Sequence, residues 1–456
     1  MYAADKLLRR YGDFARVDVV ERLPMPFGLV RSGVAPDHQE SKAVTGQFQK
    51  ALLDPRCAYH GNVRVGEDVT IAELQEYYNV ILLAYGAEGD RDLGIPGEHL
   101  PGVLPAREFV WWYNGHPEFA PAPVDLSRAK AVAVLGLGNV SLDIARILTS
   151  KTEELASTDM PAPVLQCLRD SRVEEVHVVG RRGPVQAAYT PKELRELLTS
   201  PEVALEVDPA SLEVTGADRE EMKTHRIRRR NHEVLSKAAF ESRQRTAALR
   251  ERGAAPKRLV FHFFRSPVEI AENPDGTKRI VMEKTRLEPG RDGGQRAVGT
   301  GETESVDVDV VLKSIGYRSL PVEGVPWDAE RGVARNQNGR VTADDGRPVP
   351  GMYVCGWLRR GPSGIIGTNL IDAEETVDII SEDVSGHRLP AVRAIKPGGE
   401  GLGELLRGRG VQVVSREDWQ VIDSVEVQHG RAMGKLREKL TDLDHILSLV
   451  KKHGRA

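Results

Sequence analysis

Three short stretches combine residue types with spacings that point to chemistry. Gly136-Leu137-Gly138-Asn139-Val140-Ser141 follows the apolar run Ala131–Leu135 and leads into a helical pattern over Leu142–Leu148. A strand, a tight turn and a helix in that order aim backbone N–H groups at a pyrophosphate. Glycine is needed at the turn and where backbone approaches the phosphates, and a small third residue lets the helix pack on the strand. Gly136, Gly138 and Ser141 fill those three places, and the competing reading is a plain turn. The next apolar run, Val176–Val179, ends at Gly180-Arg181-Arg182. An acid at such a tip accepts from a free ribose 2′-hydroxyl and repels a 2′-phosphate, whereas two guanidiniums suit a phosphate monoester. The pair therefore predicts NADP(H) over NAD(H), against the alternative of a solvated basic turn.

The N-terminal stretch has the opposite sign. Tyr2–Arg10 is helical in pattern, Val17–Val20 is a β run, and Glu21 stands at its tip. That order is the back half of a second dinucleotide unit, and an acid there suits a ribose without phosphate, as in FAD. On residue chemistry alone Glu21 serves equally as a surface acid. Two nucleotide units with opposite ribose chemistry imply a two-cofactor oxidoreductase. The third stretch, Gly356 to Gly364 after the strand Met352–Cys355, precedes a helix from about Thr368 to Ile380. Its backbone N–H groups and the helix dipole suit a flavin's polar edge or a phosphate.

The elements that must hold these stretches read as α/β, with two Rossmann-like nucleotide-binding domains. The apolar runs closing on Tyr85-Gly86-Ala87 and Ile315-Gly316-Tyr317 mark the crossings, which places an FAD domain at 1–89 and 319–456 and an NADP domain at 90–318. Further strand patterns lie at Arg258–Phe264, Lys278–Glu283 and Val308–Ile315, and Thr149–Arg172 reads as a surface insertion with a helical portion. Glu220–Arg252 is a polar helical stretch with ten Lys/Arg against five Asp/Glu. The tail beyond Ser385 is charged, has a Gly-rich patch at 398–403 and ends in an amphipathic helical pattern.

Bulk composition agrees with a folded two-domain chain. Its 456 residues allow two or three domains, and 40% hydrophobic with 29% charged residues is ordinary for a globular protein. Lys plus Arg is 63 against 67 for Asp plus Glu, so a globally basic nucleic-acid binder is excluded. The three cysteines, Cys57, Cys167 and Cys355, form no C-x-x-C, so no dithiol, zinc or iron–sulfur site is predicted. No apolar run reaches the ~18 residues of a membrane span. The opening residues lack the character of a signal or transit peptide.

Longer motifs carry a family resemblance over nearly the whole chain. Pro26-Phe27-Gly28-Leu29-Val30-Arg31, Gly33-Val34-Ala35-Pro36-Asp37-His38, Gly61-Asn62-Val63, Ile95-Pro96-Gly97-Glu98 and Trp112-Tyr113-Asn114-Gly115 resemble the adrenodoxin/ferredoxin–NADP⁺ reductases. So do Gly138-Asn139-Val140 with Asp143, Gly180-Arg181-Arg182-Gly183-Pro184, Lys192-Glu193-Leu194-Arg195-Glu196 and the Gly356–Gly364 loop. Val110–Pro117 is most similar to the mitochondrial enzymes of plants and algae. The resemblance implies hydride transfer from NADPH to FAD, then two single-electron steps to a [2Fe–2S] ferredoxin. It implies that Glu21, Leu29 and Val65 hold the FAD adenosine and that Trp357, Gly364, Ile365 and Ile366 hold the isoalloxazine end. For NADP it implies Leu137 to Val140, Arg181, Arg182, Glu193 and Gly364, with Gly136 at the turn. His38 and Glu193 resemble the catalytic polar pair placed beside flavin and nicotinamide, where they orient and handle protons while the flavin performs the redox chemistry. Without the resemblance His38 is a loop histidine.

The same resemblance gives Arg226, Arg228, Arg229 and Arg230 a role as the surface that steers an acidic ferredoxin. From charge alone the favoured reading is a solvated helix face. It also implies a mitochondrial location. Family members begin with a strand and a G-x-G-x-x-G/A loop ahead of the residues that open this sequence. The expectation is therefore an FAD domain lacking its first strand and glycine loop, Met1 as an internal methionine, weak or absent FAD binding and little diaphorase activity. The alternative reading is a truncated, flavin-free chain that binds NADP(H) or ferredoxin without turnover.

Overall fold

Val132, Ala133, Val134 and Leu135 are all buried, as befits a strand at the centre of a sheet covered on both faces. The computed structural model describes residues 1–200, 203–251, 256–290, 294–364, 366–389 and 395–453. The chain divides into two units. The first comprises Met1–Val34, His38–Arg91 and Gly316–Ala456, and the second Ala35–Asp37 and Asp92–Ile315.

The first unit opens with α1 (Tyr2–Tyr11), β1 (Val17–Val20), β2 (Cys57–His60) and β3 (Ile81–Leu83). β1 and β2 pair in parallel, from Val17 opposite Cys57 to Val20 opposite His60.

The second unit holds β4 (Val103–Pro105), β5 (Ala131–Leu135), α2 (Asn139–Thr149), β6 (Glu175–Gly180), α3 (Pro191–Thr199) and β7 (Val203–Val207). It continues with α4 (Gly216–Thr224), α5 (Arg226–Glu251), β8 (Lys257–Phe263), β9 (Arg265–Glu272), β10 (Lys278–Pro289), β11 (Gln295–Val308) and β12 (Val310–Lys313). Six strands form one parallel sheet in the order β4-β12-β5-β6-β8-β7. Ligands of such sheets sit outside the carboxyl ends of the strands where the winding reverses. Here β5 lies between β12 and β6, and its carboxyl end leads directly into Gly136. Leu142, Ile144, Ala145, Ile147 and Leu148 of α2 are buried against this sheet.

Back in the first unit, β13 (Asn336–Gln337), β14 (Arg340–Thr342) and β15 (Pro348–Val354) run antiparallel, and β15 pairs in parallel with β3. α6 (Ile366–Ser385) follows, and α7 (Arg416–Ala432) and α8 (Leu443–His453) close the chain. Trp419 and Ile422 of α7 and Ile446 and Val450 of α8 join Leu8, Cys57 and Tyr59 in one buried cluster.

Several sequence readings are corrected by packing. Thr149–Arg172 is no mere surface insertion: helices Thr152–Leu155 and Ala162–Arg169, with the segment between them, bury Leu155, Met160, Val164, Leu165 and Leu168 in the main core. Glu220–Arg252 is two helices, because His225 adopts extended backbone and ends α4. Nor is α5 wholly solvated. Asn231 is buried and donates to Tyr189 O at 2.8 Å, and the buried Ser242 Oγ accepts from Leu205 N at 2.8 Å. Arg252 lies outside the described residues. The strand at Lys278–Glu283 runs on to Pro289 and sits between β9 and β11 in an antiparallel ribbon that the polar sequence concealed. The Gly-rich patch at 398–403 lies in a helix, Gly398–Gly408, held by buried Leu402 and Leu406.

Candidate active site

Gly136 has φ +143, and a Cβ there would lie 2.1 Å from Ser314 O, so no larger residue fits between β5 and the end of β12. Its N–H donates to Val179 O at 2.8 Å, which pins the turn to β6. A Cβ on Gly138 would meet nothing within 4 Å. That open space lies at the N-terminus of α2, where unpaired N–H groups and the helix dipole favour a phosphate. Leu137 covers Gly180 with its side chain, and its carbonyl accepts from Ala188 N at 2.8 Å. Asn139 Oδ1 accepts from Thr190 N at 2.8 Å. Val140 is half-buried, and Ser141 Oγ is buried without a hydrogen-bond partner among the described residues.

Arg181 is exposed and Arg182 half-buried at the tip of β6. Their carbonyls are held by neighbouring strands, Arg181 O by Thr285 Oγ1 at 2.7 Å and Arg182 O by Phe264 N at 3.2 Å. Burial, and then the like charges of Arg181 and Arg228, lower the Arg182 pKa, with Glu221 opposing. Arg228 itself is paired to Glu221. Guanidiniums beside such a turn are the donors that suit a 2′-phosphate monoester.

Glu193 stands in the first turn of α3, which Thr190 caps by accepting from Glu193 N at 3.4 Å. Its Oε2 lies 3.8 Å from Nη1 of Arg146. Arg146 is only 8% exposed and also binds Asp37 (Nε–Oδ2 2.5 Å, Nη2–Oδ1 3.0 Å) and Asp143 (Nη2–Oδ1 2.9 Å). Sequence reading passed over Arg146. The available signal was the spacing Asn139, Asp143, Arg146, which puts polar groups on one face of an otherwise apolar helix.

In the first unit, Glu21 follows β1, its N–H donating to His60 O at 3.0 Å and its Oε1 accepting from Leu23 N at 3.1 Å. Burial lifts its carboxyl above the ordinary glutamate range, against the pull of the Leu23 N–H and Arg22. Leu29 lies in a short helix, Gly28–Ser32, and is 37% exposed although apolar. That helix is tied to α7 by Arg31, which binds Glu426 through two bonds of 2.9 and 2.5 Å. Val65 forms a bridge with Val69 and is half-buried. His38 is buried, its carbonyl accepting from Ser41 N at 3.1 Å and Lys42 N at 3.3 Å.

Trp357 begins a one-turn helix after Gly356, whose N–H is bound by Asp372. Burial raises the Asp372 pKa despite Arg359, whose Nη1 sits 2.6 Å from Oδ1. Gly364 has φ +84, and a Cβ there would strike Thr368 Oγ1 at 2.4 Å. Ile366 opens α6, and Ile365 lies outside the described residues. Trp357, Gly364 and Ile366 are thus brought to one loop and helix start in the first unit. The glycine turn, the arginine pair and Glu193 gather in the second.

No family model matches the chain. The mitochondrial NADPH:adrenodoxin oxidoreductase of Arabidopsis thaliana is 47% identical over 456 residues, covering 98% of this chain and 92% of the relative. The chain belongs to the adrenodoxin reductase/ferredoxin–NADP⁺ reductase family. The human NADPH:adrenodoxin oxidoreductase is 44% identical over 98% of this reductase and 89% of its own length. The structure of FprA from Mycobacterium tuberculosis in complex with NADPH matches with TM-score 0.89 at 39% identity, covering 99% of this chain and 96% of that one. The reductase is thus an oxidoreductase with FAD and NADP(H) as its cofactor pair. Its residues fit both groups. Gly138 leaves room at a helix N-terminus, and Trp357 Nε1 is a buried donor without a partner among the described residues. No helix among the described residues is long and apolar enough to cross a membrane.

Proposed function

We infer that this reductase takes a hydride from NADPH onto FAD and passes the electrons one at a time to a small, acidic [2Fe–2S] ferredoxin. The observation that carries this reading is the second unit's turn, with Gly136 locked against Ser314 and Gly138 open at the start of α2, beside Arg181 and Arg182 at the next strand tip. When bound, FAD converts a two-electron donor into single-electron steps. The protein's own part is to bind and orient.

Leu137, Gly138, Asn139 and Val140 hold the NADP pyrophosphate, and Arg181 and Arg182 the 2′-phosphate. Glu193 lies toward the nicotinamide end, with His38 as its counterpart in proton handling. Glu21, Leu29 and Val65 hold the FAD adenosine. Trp357, Gly364 and Ile366 hold the flavin end, Trp357 offering its indole N–H, and Gly364 also serves the nicotinamide.

The exposed face of α5 receives the ferredoxin. Arg226, Arg229 and Arg230 are exposed on it, whereas Arg228 turns to Glu221. Opposed charge speeds encounter and loses force as salt is added. The mitochondrial names of the relatives support a mitochondrial location. A chain that binds nucleotide without turnover has no observation in its favour.

The test is reconstitution. The purified chain is supplied with FAD, and its visible spectrum is followed on adding NADPH without oxygen and then an oxidised [2Fe–2S] ferredoxin. Bound flavin that bleaches with NADPH and recovers as the ferredoxin is reduced is the expected result. Flavin that stays oxidised in the presence of NADPH overturns the reading.

A further inference from the structure

We propose that Arg146 is a positioning residue for Glu193 and that it acts through the carboxylates it gathers. Its guanidinium is only 8% exposed, and three acids surround it: Asp37 from the Ala35–Asp37 segment, Asp143 one turn earlier on α2, and Glu193 on α3. Nε and Nη2 are spent on Asp37 and Asp143 at 2.5 to 3.0 Å. Nη1 is buried, has no hydrogen-bond partner among the described residues, and has Glu193 Oε2 at 3.8 Å.

A guanidinium is planar, so fixing two of its nitrogens fixes the third. Asp37 and Asp143 therefore set the direction in which Nη1 points, and the charge that Nη1 carries is held against the Glu193 carboxylate. Burial alone would lower the Arg146 pKa, yet Asp37 and Asp143 more than reverse that, so the cation is permanent. The separation of 3.8 Å sets the charge of Nη1 beside the Glu193 carboxylate without a direct hydrogen bond between the two. Lysine could supply the charge but not the fork.

This role rests on reading Glu193 as the carboxylate on the nicotinamide side. The nucleotide's phosphates bind elsewhere, at the start of α2 and the tip of β6, so a fault at Arg146 is felt at the ring and not in the grip on the phosphates. The test compares wild type, Arg146→Lys, Glu193→Gln and the double variant, all loaded with FAD. Two quantities are read: the rate of flavin reduction at saturating NADPH by stopped flow, and the affinity for NADP⁺ by calorimetry. Misdirecting a buried charge at this separation is expected to lower the rate about 10- to 100-fold for Arg146→Lys. Affinity for NADP⁺ is expected to change less than about threefold, since the phosphate contacts are intact.

In the Glu193→Gln background the same Arg146→Lys change is expected to add almost nothing, because coupled residues are non-additive. Additive losses overturn the proposal, as does a fall in rate matched by a fall in NADP⁺ affinity, which marks a merely structural role. Wild type that binds FAD but is not reduced by NADPH overturns the functional reading and this inference together. Wild-type reduction with an undiminished rate in Arg146→Lys overturns the inference alone.

Discussion

Asn139 Oδ1 accepts a 2.8 Å hydrogen bond from Thr190 N, so the residue that opens α2 also holds the cap of α3, on which Glu193 sits. The glycine turn and the carboxylate are thereby joined by one side chain. Asn139→Ala should cost about 1–2 kcal/mol by leaving the Thr190 N–H unpaired. Asn139→Asp should keep the bond and most of the stability, yet bind NADPH more weakly than Ala, since it brings a negative charge to the phosphate site. Thermal melts and NADP⁺ titrations of the two variants separate these effects.

Replacing Arg181 and Arg182 by methionine should remove the preference for a phosphorylated ribose. Each charge-assisted contact is worth about 1.5–3 kcal/mol, so the affinity for NADPH should fall at least tenfold per arginine. Affinity for NADH should change little. The ratio of kcat/KM for the two nucleotides is the measurement.

Gly136→Ala should damage the second unit even in the absence of nucleotide. The new Cβ would lie 2.1 Å from Ser314 O, a backbone atom that cannot rotate away. A cost of about 2 kcal/mol or more is expected, or a melting temperature lower by roughly 4–8 °C. Nucleotide binding should fall as well, since the turn must open to fit the methyl group.

Charge on α5 should matter for the protein partner alone. Arg226→Glu with Arg230→Glu should raise the KM for an acidic ferredoxin and flatten its dependence on salt. Reduction of a small uncharged dye should be unaffected. Equal losses with both acceptors would place the effect in the folding of α5 and not at a docking face.

Acid should weaken the parallel sheet of the second unit through His177. Its Nδ1 sits 2.9 Å from His262 Nε2, and burial, with His262 and Arg258, pushes its pKa down from 6.5 to about 4. The unfolded chain takes up a proton between these values that the folded chain refuses. This contribution to stability is therefore complete above pH 6.5 and declines as the pH falls toward 4, by about 3 kcal/mol at most. His177→Gln should show a shallower decline over that window in denaturant melts.

The parts of the site readable from the amino-acid order are those encoded by short spacing. Gly136, Gly138 and Ser141 announce their turn because a strand, a phosphate loop and a helix occupy consecutive residues. Arg181 and Arg182 are legible because the tip of the next strand follows at a short remove in the sequence. The polar face of α2 was equally present in the spacing of Asn139, Asp143 and Arg146, but its meaning was not. Arg146 draws Asp37 from 109 residues away, and Arg31 meets Glu426 across 395.

Periodicity records which face of an element is apolar, and it carries no information about which distant acid arrives at a buried cation. The order of β4, β12, β5, β6, β8 and β7 likewise follows from how crossovers bury both faces of the sheet, a property of the assembled layers. The sequence by itself determined the strand-turn-helix at Ala131–Thr149 and the family. Only the tertiary structure decided which charges are paired, because an ion pair forms between positions in space, and neighbours in space are set by the path of the whole chain.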